Sequence, residues 1–127
     1  ANDSDHWDII EGQGSLFHPS FAGVSLGLLH GAQASDLILC HEPTRTHMRG
    51  LPNMPLPLIK DCIDANLRAA RLVNPSVRFA GIAINSVALN EKETSRITEE
   101  LTQEFNLLTF DPIKHGVDAL LEILLQD

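Results

Sequence analysis

The amino-acid sequence predicts an α/β domain, a mainly parallel sheet with flanking helices, and three observations carry that reading. Four short apolar runs alternate with four stretches of helical periodicity, in the order β-α-β-α-β-α-β-α. The first run has a continuous apolar centre and the third is apolar through Ala80-Gly81-Ile82-Ala83-Ile84, as in strands covered on both faces. Polar residues gather directly after them, at the carboxyl edge where open α/β sheets bind ligands.

Taken in order, the first expected strand is Trp7 to Ile10. It leads into Glu11-Gly12-Gln13-Gly14-Ser15-Leu16-Phe17-His18-Pro19, a stretch that brings a carboxylate, two glycines, a hydroxyl and an imidazole together before a helix can open at Pro19. That helix is expected from Pro19 to His30, with Phe21, Val24 and Leu28 on one side and with Gly23 and Gly27 implying close packing. A strand from Asp36 to Cys40 ends in His41-Glu42-Pro43-Thr44-Arg45, and the two polar tips are expected to meet. Residues 43 to 57 hold four prolines and no periodicity, the character of a binding loop or lid.

A helix from Leu58 to Val73 is expected to bury Leu58, Ile59, Cys62, Ile63, Ala69 and Ala70, and Asn74-Pro75 ends it. The strand Val77 to Asn85 is apolar enough for a central position. Residues 91 to 105 form an acidic amphipathic helix with Ile97, Leu101 and Phe105 inward and its glutamates solvated. The strand Leu107 to Phe110 then meets Asp111-Pro112, and a final helix from Gly116 to Leu125 is expected to bury Val117, Leu120, Leu121 and Leu124.

Composition narrows the function classes. At 127 residues with 43% hydrophobic content, the chain can bury a core, and no apolar run approaches the length of a membrane span. A net charge of −8 with no basic stripe argues against general nucleic-acid binding. Cys40 and Cys62 have no zinc-site spacing and read as reduced thiols of a cytoplasmic protein. No G-x-x-x-x-G-K-[ST] motif occurs, so a phosphate loop, if the site takes a nucleotide, is expected outside these residues. Together with the immediate opening strand, this suggests the carboxyl-terminal portion of a larger domain.

The candidate site residues follow from their chemistry. Gly12 and Gly14 permit positive φ and close backbone approach, so the N–H groups from Gly12 through Gln13 and Gly14 to Ser15 can face an anion. Glu11 can act as a base or hold a divalent metal. Of six histidines, His18 and His41 stand at the candidate edge. Arg45 and Arg49, in the proline-rich loop, can clamp a carboxylate or phosphate. Asn85 can read a nucleobase or amide, or equally cap the loop after it.

The chain resembles the carboxyl-terminal half of the DgcN-type D-glutamate N-acetyltransferase family from about Asp5 to Leu125. The stretches that carry the resemblance are Trp7 to Pro19, Leu28-Leu29-His30-Gly31 and Leu39-Cys40-His41-Glu42-Pro43. It implies a P-loop NTPase-like three-layer sandwich, incomplete here, preceded in full-length members by a Rossmann-like domain and a lysine-bearing phosphate loop. The implied activity is acetyl transfer from acetyl-CoA to the amine of a D-amino acid such as D-glutamate, with Glu11 and His18 as catalytic residues. The implied partners are the small-molecule substrate, the rest of the same polypeptide and further copies of the protein, with neither nucleic acid nor membrane. A more distant similarity to dethiobiotin synthetase implies ATP with magnesium held at Glu11 and adenine read by Asn85. Gln13, Ser15 and His18 depart from that second pattern. A non-catalytic nucleotide-binding domain is the third class the sequence allows.

Overall fold

The computed structural model of the protein describes residues 6–12 and 14–126. Its centre is a three-stranded parallel sheet of β1 (Asp36–His41), β4 (Arg78–Ile84) and β5 (Leu108–Phe110), in the order β1-β4-β5. Leu39 pairs with Ile82 and Ile82 with Thr109, and β1 has an irregularity between Leu37 and Ile38. β4 takes the central place that its apolar run predicts. Consecutive Ala80, Gly81 and Ile82 are all buried, and successive residues of a strand face opposite ways, so both faces of β4 are covered. Gly81 has a specific reason to be glycine: a Cβ there would sit 2.9 Å from the Leu108 carbonyl oxygen.

Helices complete the parallel crossovers. α1 (Ala22–Ala32) leads into β1 and packs on α2 (Ile59–Ala70), where His30 Nε2 meets the Ala69 carbonyl at 2.9 Å. α3 (Glu91–Phe105) joins β4 to β5 and opens with a capping box, Asn90 accepting from the Glu93 N–H while the Glu93 side chain accepts from the Asn90 N–H. Ala80, Phe110 and Leu120 form the core cluster, with Ala83, Leu108, Ile123 and Leu124 packed around it. At the amino end of the sheet, Arg78 holds Asp36 at 2.6 Å and reaches the Ile123 and Gln126 carbonyls. No helix among the described residues is long and apolar enough to cross a membrane.

Five local expectations need correction. Trp7 to Ile10 is not a strand: no described strand pairs with it, Ile9 is 94% exposed, and an extended run without a ladder leaves its backbone groups to solvent. α1 begins at Ala22 rather than Pro19, because the His18 carbonyl takes the N–H groups of both Phe21 and Ala22 and closes a turn first. The proline-rich stretch contains an antiparallel hairpin, β2 (His47–Met48) and β3 (Leu51–Pro55), turning at Gly50 with φ of 75°. Its prolines are compatible with pairing because a two-stranded ribbon consists only of edges. α2 stops at Ala70 and leaves Leu58 exposed at its amino end. The last helix is split into α4 (Pro112–His115) and α5 (Asp118–Leu124) around Gly116 at φ of 73°, and the break leaves Val117 and Leu121 exposed while Leu120 is buried.

Candidate functional site

The carboxyl ends of the three strands bring His41, Asn85 and Asp111 to one edge of the sheet. The Asn85 N–H donates to the His41 carbonyl at 2.8 Å, which carries the β1–β4 ladder one residue past Ile84. Asn85 Oδ1 accepts from the Val87 N–H at 3.2 Å, turning the chain and leaving the amide NH2 available. Beside it lies an open cleft of about 460 Å³ walled by Ile84, Val87, Pro112 and Ile113, with Asn85, Asp111 and Lys114 as its polar members.

A buried network underlies that cleft. Asp111 Oδ2 accepts from the N–H and the hydroxyl of Ser86, and Oδ1 from the N–H groups of Ile113 and Lys114. Burial pushes this carboxyl up, but the hydrogen bonds from Ser86, Lys114 and Ile113 outweigh it and bring it down to about 2. Lys114 Nζ donates to the carbonyls of Ser86 and Leu89 and to Thr94 Oγ1, with all three contacts between 3.0 and 3.2 Å. Ser86 and Thr94 are fully buried. Asp-Pro after an apolar run is a helix-capping signal that marks Asp111 in the sequence, whereas no local pattern marks Ser86, Thr94 or Lys114 as its neighbours in the network.

The opening stretch folds as a compact turn. Gly14 has φ of 82°, and a Cβ there would come within 2.5 Å of Phe21 Cβ, so this position requires glycine twice over. Gly12 is not in the positive-φ region, and its α-carbon faces Leu28 of α1. Gln13 lies outside the described residues. Ser15 is used within the turn: its Oγ accepts from the Phe17 N–H and its carbonyl from the His18 N–H, both at 3.1 Å. His18 is buried, with Nδ1 accepting from the Ser20 N–H and Nε2 set 3.1 Å from the Arg49 carbonyl. This pair of partners calls for the tautomer protonated on Nε2. Phe21 packs against the ring with centroids 4.8 Å apart. Proton exchange between His18 and a substrate therefore requires one of two backbone bonds to open.

The two polar tips come together in part. Glu11 is close enough to β1 to act on Cys40, whose thiol is pushed up by loss of water around it and further by the Glu11 carboxylate. Burial lowers the pKa of His41, and Glu42 offsets part of that effect. The His41 ring makes no hydrogen bond to another described residue. Arg45 is drawn onto its own loop by Glu42, with Nε and Nη2 at 3.0 and 2.5 Å from Oε2. The Arg49 guanidinium, by contrast, has no hydrogen bond or ion pair to another described residue, while its carbonyl anchors His18. Among the described residues no group of three or more His, Cys, Asp or Glu side chains is placed to hold a metal ion.

A parallel sheet flanked by helices, with polar side chains converging on its carboxyl edge, defines an open α/β domain, a class in which ligands bind outside that edge. The family within that class is narrower: residues 1–121 match the domain of unknown function (DUF1611_C) P-loop domain, and the chain belongs to the DUF1611 family. It is 50% identical over 115 residues to a protein of Pseudoalteromonas sp. named D-glutamate N-acetyltransferase, covering 91% of this chain and 35% of that one. A protein of the same name from Tritonibacter scottomollicae is 46% identical over 123 residues, 97% of this chain and 37% of the relative. A DUF1611 family protein of Anabaena variabilis, known from its crystal structure, superposes with a TM-score of 0.82 at 31% identity, over 92% of this chain and 34% of that protein. The chain thus spans about a third of the length of the relatives it matches.

Proposed function

We propose that this domain supplies part of the active site of an N-acetyltransferase that moves an acetyl group from acetyl-CoA to the amine of a D-amino acid such as D-glutamate. The observation that carries the reading is the 50% and 46% identity, across nearly the whole chain, to two proteins named D-glutamate N-acetyltransferase. In the reaction the substrate ammonium gives a proton to a base, the free amine attacks the thioester carbonyl, a C–N bond forms, and the C–S bond breaks to release CoA thiol. Glu11, exposed beside the strand edge, is the proposed base. His18 shares the catalytic stretch as the residue that holds it to the hairpin. The N–H groups from Gly12 through Gln13 and Gly14 to Ser15 are the proposed oxyanion donors.

The remaining edge residues divide the binding. Arg49, whose guanidinium is not engaged by described residues, is better available for a substrate carboxylate than Arg45, which must first leave Glu42. His41, with its lowered pKa, is a neutral hydrogen-bonding group near neutral pH. The apolar walls of the Asn85 cleft and its free amide suit a flat heteroaromatic ring such as the adenine of CoA. On this proposal the lysine-bearing phosphate loop and the Rossmann-like domain lie outside residues 1–127, and the isolated chain is expected to be inactive. Calorimetry on a family-length protein carrying this domain tests the proposal: acetyl-CoA should bind, and Mg-ATP should be neither bound tightly nor hydrolysed. Tight Mg-ATP binding with substrate-stimulated ADP release would replace this reading by an ATP-dependent ligase.

A further inference from the structure

The outer side of α1 is the most unusual surface of the molecule. A helix at the surface of a soluble domain normally turns a polar face to water. Here Ala22, Ser25, Leu29, His30 and Ala32 are the half-buried positions, and Gly23, Val24, Leu26, Gly27, Leu28 and Gly31 are the exposed ones. Val24 is 68% exposed, and beyond the adjacent residues and the helix's own backbone no described heavy atom lies within 4 Å of a Cβ built on Gly23, Gly27 or Gly31. Between Glu11 and Asp36 the sequence holds no aspartate, glutamate, lysine or arginine. Glycine inside a helix lowers its stability, and these three glycines, at spacings of four residues on an open, uncharged side, have no packing partner among the described residues that would offset that cost.

The face continues beyond the helix. Gly12 lies against Leu28, which brings the segment before it alongside α1, and Trp7, Ile9 and Ile10 in that segment are also exposed. Charge-free glycine faces let another backbone approach closely enough for van der Waals packing to hold it. With 11 residues, α1 is too short to cross a membrane. The matched relatives are far longer: the chain covers 35% and 37% of their lengths, so nearly two thirds of each lies outside the match.

We infer that the outer face of α1, with the Trp7–Ile10 segment beside it, is an internal seam of the family-length protein, covered by the part of that polypeptide outside residues 1–127. The covering element is an uncharged helix or strand whose backbone seats on Gly23, Gly27 and Gly31.

The test compares the isolated chain with a chimera in which it replaces the matched part of the Pseudoalteromonas relative. Amide hydrogen exchange over residues 22–32 should be at least about tenfold slower in the chimera, as expected when a locally opening helix is covered. Gly27→Leu should leave the melting temperature of the isolated chain unchanged or raised, since the site is open and leucine is the better helix former, and should lower that of the chimera. If the chimera does not fold, exchange over the matching helix of the unaltered relative provides the comparison. Equal exchange in both contexts, or a Gly27→Leu change that raises both melting temperatures, would overturn the inference. So would an isolated chain that self-associates with residues 22–32 already protected, which would make a second copy the occupant.

Discussion

Replacing Asp111 by asparagine is the sharpest test of how the carboxyl edge is held. The carboxylate receives four hydrogen bonds, two on each oxygen, in a side chain that is nearly inaccessible. Asparagine has the same shape but one acceptor oxygen, so its NH2 must face either the Ser86 pair or the Ile113 and Lys114 N–H groups. The Ser86 hydroxyl can rotate to accept from that NH2, which leaves the Ser86 N–H as the group without a partner. Losing two charge-assisted bonds and orphaning one buried donor gives an expected cost of about 3 kcal/mol, or roughly 10 °C in melting temperature for a domain of this size.

The acid profile supplies a second, independent magnitude. The folded carboxyl lies at about 2 against an ordinary 3.8, so the native state favours its ionised form. A depressed carboxyl contributes stability above its unfolded pKa, and that contribution is lost as pH falls through the folded value. For Asp111 it amounts to about 2 kcal/mol, present above about pH 4 and gone by about pH 2. Urea denaturation of wild type and Asp111→Asn across that window should show the loss in wild type and its absence in the variant. A cost below about 0.5 kcal/mol near neutral pH, or identical acid profiles, would refute the account of the network.

Three further outcomes are expected. Gly14→Ala should destabilise by about 2 kcal/mol or more, because it adds a clash with Phe21 to an unfavourable φ, whereas Gly50→Ala, strained but in open space, should cost about 1 kcal/mol in the same thermal melts. In a family-length enzyme, Glu11→Gln should lower kcat by about a hundredfold to ten-thousandfold with the fold intact, while Glu99→Gln and Glu100→Gln on the solvated face of α3 should leave it unchanged; turnover of Glu11→Gln within a few-fold of wild type would make Glu11 structural. Cys40 should react with iodoacetamide more slowly than a free thiol despite its exposure, and Glu11→Gln should speed that reaction by removing the nearby negative charge.

What the sequence disclosed and what it concealed have separate physical causes. β4 was readable because a central parallel strand is apolar on both faces, and α3 because its inner stripe and its acidic face differ in every turn. Trp7 to Ile10 had the composition of a strand, but composition does not supply a hydrogen-bonding neighbour. The hairpin after Arg45 was hidden by prolines that a central strand would reject and a two-stranded ribbon accepts. At the edge, the polar tips of β1 and β4 were found by position. The His18 contact with the Arg49 carbonyl and the Ser86 bonds to Asp111 join residues 31 and 25 positions apart, which no local pattern records, whereas Glu42 stands only three residues from Arg45 and the sequence left open which of its possible partners that arginine takes.

The register of the sheet also bears on the order in which the molecule assembles. Gly81 pairs with Leu108 across a crossover that contains a single capped helix, whereas Ile38 reaches Gly81 only after a hairpin and α2 have been threaded between them. Closing the shorter loop loses less chain entropy, so the β4-α3-β5 unit is the expected folding nucleus and β1 its later addition. Pulse-labelled hydrogen exchange should then protect Ile82 and Phe110 before Leu39. Because Glu11, His18 and His41 are organised around β1 and the hairpin, their side of the candidate edge would be the last part of the domain to become native, and the first that a destabilising change elsewhere in β1 would leave unformed, while the Asn85 and Asp111 side forms with the nucleus.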